Sequence, residues 1–180
     1  MIIHYEKLNT ENFNAHSLDN FVRHQQVKEC WRNVDGQWKL VPIEFEENWS
    51  IEKCQEIATD VALNMEKSQT AIGAFDGEQI VGFITVAHNI FGNTAKYVQL
   101  VAFQVSESYR GNGIGKALFK QACEEAKLLG ADKLYISAHS SKESQAAYKA
   151  LGCVHAAEIN RKLADEEPCD VQLEYDLRKN

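Results

Sequence analysis

One segment of the sequence, residues 103–118, constrains the fold more than any other, because three structural signals follow one another in it. An apolar run that ends at Val105 predicts a β-strand. Beyond the segment's polar centre, apolar residues recur at helical spacing: Ile114, Leu118, Ala122, Ala126 and Leu129. Three glycines mark the junction: Gly111, Gly113 and Gly115. The sequence therefore predicts a strand, a glycine-rich turn and a helix in direct succession.

The turn, residues 110–115, has the properties of an anion-binding cradle, and we call it the glycine cradle. Glycine lets the backbone adopt positive φ and approach a ligand closely. Free N–H groups in the first helical turn, together with the positive end of the helix dipole, favour a phosphate or pyrophosphate, and Arg110 can add a charge-assisted contact. The spacing matches neither the dinucleotide fingerprint G-x-G-x-x-G nor the nucleotide-triphosphate loop G-x-x-x-x-G-K-S/T.

Two motifs resemble those of one enzyme superfamily. Three residues occupy the fixed positions of R/Q-x-x-G-x-G/A, the signature of acetyl-CoA-dependent N-acetyltransferases: Arg110, Gly113 and Gly115. Residues 147–153, with the sequence A-Y-K-A-L-G-C, are similar to F-Y-x-x-x-G-F, and Tyr148 matches its tyrosine. Because both motifs occur in the expected order, the chain is identified as similar to the GNAT superfamily from about residue 70 to residue 177.

The resemblance implies an α/β fold with a mixed, mostly antiparallel central sheet flanked by helices. The patterns agree with it. They predict a hairpin with arms 70–75 and 80–88 around Asp76-Gly77, a strand 133–138, a short helix 141–151 and closing strands 153–160 and 170–177. At 180 residues, the chain is long enough for one domain with a full core, and we expect a single domain over residues 1–180.

Other elements are predicted from local patterns alone. Residues 1–8 alternate as a first strand. A helix capped by Thr10 or Asn12 would bury Leu18, Phe21 and Val22, with Val27 as a further candidate. Ser50 is the predicted cap of a further amphipathic helix, and Ser140 with Glu143 has the spacing of a capping box. In the last strand, polar residues alternate with apolar ones, which predicts a solvated outer face.

The resemblance also implies the cofactor and its site. Acetyl-CoA is the expected co-substrate, with no metal. Its pyrophosphate would lie on the glycine cradle and its pantetheine arm along the edge of the preceding strand, so that the expected cofactor residues are Phe103, Val105, Arg110, Gly111, Asn112, Gly113, Ile114, Gly115 and Ser141. Ser141 replaces a common asparagine, and its hydroxyl could bind the cofactor or cap the helix. Tyr148 is the expected acid that protonates the departing thiolate.

A second segment, residues 28–49, lies outside the motifs and is predicted to be an acceptor-side insertion. Asp35-Gly36 predicts a small hairpin or tight turn between short arms. Aromatic and acidic residues are interleaved in it, and three of them are candidate substrate-binding residues: Trp31, Trp38 and Glu46. Tryptophan faces could hold a cationic amine. The competing interpretation is that these aromatics only pack the insertion onto the domain.

Composition limits the classes of partner that the chain is expected to bind. A net charge of −7 and the lack of a basic stripe argue against nucleic acid and suit a cationic acceptor. Neither a signal peptide nor a run of about 20 apolar residues is evident, so we expect a cytoplasmic protein that does not bind membranes. Five cysteines without C-x-x-C pairs indicate free thiols in a reducing compartment. Dimers are common in the superfamily, so the resemblance allows a homodimer.

The expected function is transfer of an acetyl group to a primary amine, first of all that of a small molecule. Acetylation of a protein amino group is an alternative, and a non-catalytic acyl-CoA-binding regulator is another. An alkylammonium with a pKa of about 10 must lose a proton before it attacks, so a general base or water chain is required. The sequence leaves four candidates open: Glu44, Glu46, Glu47 and His88.

Overall fold

The computed structural model describes residues 2–179. The strands are β1 (Ile3–Lys7), β2 (His24–Val34), β3 (Gln37–Asn48), β4 (Gln69–Asp76), β5 (Gln79–Ala87), β6 (Tyr97–Val105), β7 (Lys133–Ala138), β8 (Val154–His155) and β9 (Val171–Asp176). The α-helices are α1 (Ile51–Asn64), α2 (Ile114–Leu128), α3 (Lys142–Leu151) and α4 (Arg161–Glu166). Short 3₁₀ helices occupy Glu107–Tyr109 and Leu177–Lys179.

Seven strands form one sheet in the order β1-β4-β5-β6-β7-β9-β8. Only β6 and β7 run parallel, and every other neighbouring pair is antiparallel. This confirms the predicted mixed, mostly antiparallel sheet. The predicted turn between β4 and β5 is present: Asp76 pairs with Gln79, and the two residues between them are Gly77, at a φ of +62°, and Glu78.

Apolar residues pack on both faces of this sheet. The buried face of α2 lies against one side and contributes four of the five residues that helical spacing predicted, Ile114, Leu118, Ala122 and Ala126. The fifth, Leu129, follows the end of α2 and is only partly buried. On the other side, α1 packs with Phe13, Leu18 and Phe21 against β4 and β5. Full burial of a side chain such as Leu118 contributes about 1.5–3 kcal/mol relative to leaving it exposed. Together these helices hold the glycine cradle and the sheet edge at fixed positions.

The predicted helix after Thr10 is wrong. Residues 10–20 form a series of turns, although Leu18 and Phe21 are buried as expected and Val22 is not. Asparagine side chains accept hydrogen bonds from nearby backbone amides, including Oδ1 of Asn9 from Glu11 N at 2.8 Å and Oδ1 of Asn14 from His16 N at 2.9 Å. Such local bonds compete with helical ones, which explains the turns.

The insertion forms a long two-stranded sheet, β2 and β3, rather than short arms around a turn. Its tip is the predicted Asp-Gly turn, since Asp35 and Gly36 both have positive φ, at 52° and 81°, as a two-residue hairpin loop requires. The arms reach to His24 and Asn48 because polar residues at both ends continue the pairing. Trp31 N donates to Ser140 O at 2.8 Å, which ties the hairpin to the end of β7.

The C-terminal region differs from the prediction in two ways. Strand 153–160 shortens to β8, and a helix, α4, follows it. The predicted solvated face of β9 is wrong, because Gln172 and Glu174 are only 9% and 6% exposed. The residues after β8 cover that face, and Ala157 N donates to Glu174 at 3.1 Å. None of the helices in residues 2–179 is long and apolar enough to cross a membrane.

Candidate active site

The parallel strands β6 and β7 separate and open a cleft. They pair only from Tyr97 to Gln99, whereas β6 stays paired with β5 as far as Val105. The β5–β6 register shifts at Val101, and such an irregularity re-aims a strand. The edge of β6 beyond Leu100 therefore has no strand partner on the β7 side. A cleft of about 1330 Å³ lies along it.

The glycine cradle closes one end of this cleft. Gly111 and Gly113 have φ of +79° and +80°, and a Cβ at either position would point into open space. Gly113 caps α2, whose first amides face outward, and Gly115 lies against Phe103 and Val105. This backbone has the shape and the free N–H groups to hold a pyrophosphate. The predicted cradle is therefore present in geometry.

The side chains of the cradle residues make contacts within the protein. Arg110 turns back toward the sheet, where its Nε donates to Val105 O at 3.0 Å and its Nη1 to His24 O at 2.7 Å. The Asn112 amide donates to two carbonyls of the turn, and Ile114 is buried in the core. These side chains are engaged within the protein, which leaves backbone amides as the open groups of the cradle.

Tyr148 lies on the cleft wall, on α3. Ser141 caps this helix by accepting from Ser144 N at 3.2 Å, so the predicted Ser140 box is wrong, and Gly152 ends the helix in the left-handed conformation. The Tyr148 ring packs edge-on against Phe103 at 6.1 Å. Burial raises the pKa of its hydroxyl, so the phenol stays protonated at neutral pH. It is therefore suited to donate a proton near the cradle. Ser141 is fully buried, which favours its capping role over contact with a cofactor.

The opposite end of the cleft is polar. Glu47 on β3 accepts from Arg23 Nη2 at 2.9 Å and lies 3.3 Å from His139 Nε2. Asp170, at the start of β9, accepts from Ser137 Oγ at 3.1 Å. Carboxylates from three helices and the segment after α4 also line the cleft: Glu56, Asp60, Glu143, Glu166 and Glu167. The cleft lining thus offers several carboxylates to a cationic group, beside the cations Arg23, Lys53 and Arg110.

Sequence analysis did not identify His139 or Asp170 as site residues, although their positions beside predicted strand ends were a usable signal. His139 directly follows β7 and Asp170 directly precedes β9, and these strands pair through Ala138 and Val171. Residues that flank paired strand ends lie at one edge of the sheet. Strand boundaries accurate to one residue would have placed both side chains at the opening of the cleft.

The three candidate substrate residues lie outside the main cleft lining. Trp31 and Trp38 line a separate apolar cavity of about 630 Å³ against α3 and β8, and Trp38 stacks on His155 at 5.1 Å. Glu46 is exposed and pairs with His24 Nε2 at 2.6 Å. The positions of the tryptophans favour the packing interpretation.

All five cysteines are free, and four of them are buried. Burial raises the pKa of Cys123 and of Cys153 to about 12, so both remain thiols at neutral pH. Cys169 is exposed but lies outside the cleft lining. Across residues 2–179, no group of three or more histidine, cysteine and acidic residues is arranged to hold a metal ion.

The sequence matches the model of the acetyltransferase (GNAT) family over residues 34–153, more than half of the chain. The protein belongs to the GNAT acetyltransferase family. The match contains the glycine cradle and Tyr148, the two features that the sequence motifs singled out. No curated protein sequence matches the chain.

Solved structures share the fold of this GNAT protein. Nourseothricin acetyltransferase superposes with a TM-score of 0.71 at 16% identity, over 98% of this chain and 99% of that one. A protein of Bacillus anthracis provisionally assigned as a streptothricin acetyltransferase, in complex with acetyl coenzyme A, has a TM-score of 0.64 at 20% identity, with 97% and 96% coverage. The PaiA N-acetyltransferase of Thermoplasma acidophilum, in complex with coenzyme A, has a TM-score of 0.58 at 18% sequence identity. The superposition covers 98% of this chain and 99% of that one.

Proposed function

We propose that this GNAT protein transfers the acetyl group of acetyl-CoA to a primary amine of a small, multiply cationic molecule. One observation carries the proposal: a single cleft joins the glycine cradle, the free edge of β6 and an end lined with carboxylates. Tyr148 lies on the wall of the same cleft. A donor with a phosphate end and a cationic acceptor can therefore meet beside an acid.

The donor side fits coenzyme A in its chemistry. The first amides of α2 would hold the pyrophosphate, because the positive φ of Gly111 and Gly113 leaves the turn concave and free of side chains. The free backbone groups of β6, beyond Leu100, would bind the amide groups of the pantetheine arm, as an added strand does. A backbone N–H near Val105 would stabilise negative charge on the thioester oxygen.

Tyr148 would supply a proton to the departing sulfur. Its hydroxyl has no hydrogen-bond partner within residues 2–179, and its raised pKa keeps it protonated. Phe103 fixes the ring by an edge contact. The ring is thus held while the hydroxyl stays free to donate, which is what a general acid needs.

The acceptor side supports a molecule with more than one positive charge. Glu143 lies on α3 and Asp60 on α1, while Glu166 ends α4 and Glu167 directly follows it. Carboxylates on three different helices suit a molecule with several amines, because each amine can pair with a different carboxylate. The nourseothricin and streptothricin acetyltransferases among the structural relatives carry names of antibiotics, which supports a small molecule as the first class to test.

The first experiment measures thermal stability with and without acetyl-CoA, then thiol release in the same samples. The amines are streptothricin, spermidine, butylamine as a single-charge control, and a lysine-containing peptide for the protein alternative. Stabilisation by acetyl-CoA, with thiol release faster for streptothricin or spermidine than for butylamine, is the expected result. Release with the peptide alone would support protein acetylation. Stabilisation without release would support a binding regulator.

A further inference from the structure

Asp170 lies where the cleft reaches the sheet, at the start of β9. Its Oδ2 accepts a hydrogen bond from Ser137 Oγ at 3.1 Å, while its Oδ1 accepts none from residues 2–179. The residue lines the cleft that Tyr148 also lines, and its charge contributes to the raised pKa of Tyr148. One oxygen of the carboxylate is thus held in place and the other is open to a ligand.

A chain of hydrogen bonds, in which each group donates to the next, ends on this carboxylate. Asn160 N donates to the Tyr135 hydroxyl at 3.0 Å, and that hydroxyl donates to Gln172 Oε1 at 2.6 Å. Gln172 Nε2 then donates to Ser137 Oγ at 3.0 Å, which leaves the serine proton for Asp170. Tyr135 is fully buried and Gln172 is 9% exposed. This chain fixes the position of the carboxylate and presents it with a donor.

Two other basic groups of the cleft, Glu47 and His139, are already engaged within the protein. His139 Nδ1 accepts from Ser141 N at 3.1 Å, so its proton is on Nε2, which faces Glu47 at 3.3 Å. Both oxygens of Glu47 are used, one by His139 and one by Arg23. His88, a candidate from the sequence, lies outside the cleft lining and contacts Thr70 at 2.9 Å. Asp170, in contrast to Glu47, has one carboxylate oxygen without a partner in residues 2–179.

A second observation marks this end of the cleft as a place for a ligand. Arg23 is only 7% exposed and lines the cleft, yet its Nη1 has no hydrogen-bond partner within residues 2–179. Its Nε and Nη2 bind Gln104, Gln25 and Glu47. Buried guanidinium nitrogens are normally paired.

We propose that Asp170 is the general base that deprotonates the acceptor amine. This proposal rests on the proposed function. Oδ1 of Asp170 takes one proton from the bound ammonium, and the neutral nitrogen forms the new C–N bond with the acetyl carbon. As the C–S bond breaks, the sulfur takes a proton from Tyr148, and the nitrogen gives up its second proton to the tyrosinate. The products are the amide, the thiol and one proton, which Asp170 releases to water.

The surroundings of Asp170 suit this task. Burial raises its pKa, and the charges of Glu167 and Glu47 raise it further, whereas the Ser137 hydrogen bond and His139 lower it. A carboxylate with a raised pKa is a stronger base. The gap between the pKa of Asp170 and that of the acceptor ammonium is therefore smaller, which favours proton transfer to Asp170.

The test compares Asp170→Asn, Asp170→Glu and wild-type protein, with spermidine or streptothricin as the amine. A matched control is Asp165→Asn, the same change on an exposed face of α4 outside the cleft lining. Thiol release is measured from pH 6 to pH 9, and thermal stabilisation by acetyl-CoA is measured for every variant. We expect Asp170→Asn to lower kcat by about 10²–10⁴-fold with unchanged stabilisation by acetyl-CoA.

The pH profile separates a base from a merely structural residue. Without a base, the amine must arrive already neutral, so the rate of Asp170→Asn should rise about tenfold per pH unit. Asp170→Glu keeps a carboxylate, so it should retain the wild-type pH profile at a reduced kcat. This variant still tests the proposal if Asp170→Asn fails to fold. Asp170→Asn with the wild-type rate and profile would overturn the proposal, as would Asp170→Glu with a rate that rises about tenfold per pH unit. Wild-type protein that releases no thiol with any amine would refute the proposed function itself.

Discussion

Glu174 provides the sharpest test of the energetics, because it holds a buried ion pair. Its carboxylate accepts from Lys133 Nζ and from the Tyr97 hydroxyl, both at 2.6 Å. The side chains of Lys133 and Glu174 are 14% and 7% exposed. Glu174→Gln keeps the size and one oxygen acceptor but removes the charge, so the Lys133 ammonium remains buried without a counter-charge.

Breaking one side of a buried pair costs about 3–5 kcal/mol. Because the amide introduced by Glu174→Gln retains an oxygen acceptor for Lys133, we expect the low end, about 3 kcal/mol. In a domain of this size, this corresponds to a fall in Tm of about 6–12 °C. The assay is urea unfolding at pH 7, monitored by tryptophan fluorescence. The control is the double variant Glu174→Leu/Lys133→Met, which removes both charges and should lose less stability than the single variant.

The pH dependence gives a second check on Glu174. Burial alone would raise its pKa, but hydrogen bonds from Lys133, Tyr97 and Ala157 outweigh burial and lower it. A lowered folded-state pKa contributes stability above the unfolded value of about 4.3. That stability is lost as the pH falls through the folded-state pKa. The difference between wild type and Glu174→Gln should therefore shrink below about pH 4. A loss under about 1 kcal/mol at pH 7, or a difference independent of pH, would refute this account.

Three further predictions concern the cleft and its surroundings. Tyr148→Phe should lower kcat by about 10²–10⁴-fold and leave acetyl-CoA binding within about twofold, because the ring contact with Phe103 is kept; unchanged turnover would remove Tyr148 from the mechanism. His24 has a pKa raised by Glu107 first and Glu46 second, so its contribution to stability is complete below about pH 6.5 and is lost as the pH rises through its folded-state pKa. The Tm difference between wild type and His24→Gln should thus be larger at pH 6 than at pH 9, and an equal difference would count against the two ion pairs. Trp38→Ala should leave kcat/KM for the amine within about threefold, since its ring stacks on His155 outside the cleft; a loss of about tenfold would restore it as a substrate residue.

The part of the site that depends on backbone conformation was predictable from sequence. Glycines at 111 and 113, next to an apolar strand and an amphipathic helix, predict positive φ and a free helix N-terminus, and both are found. Helical spacing predicted the buried face of α2, and the two Asp-Gly pairs predicted the turns at residues 35–36 and 77–78. These features depend on steric and periodic rules that operate over a few neighbouring residues.

The charged end of the cleft could not be assembled from the sequence. Glu47, His139 and Asp170 come from β3 and from the ends of β7 and β9, and long-range pairing brings them together. For the same reason, Glu174 is buried although strand alternation predicts a solvated face, because the residues after β8 fold over it. Local rules determine conformation at each position. Tertiary structure determines which charges lose water and which lie together, because burial and electrostatic interactions depend on residues that are distant in the chain.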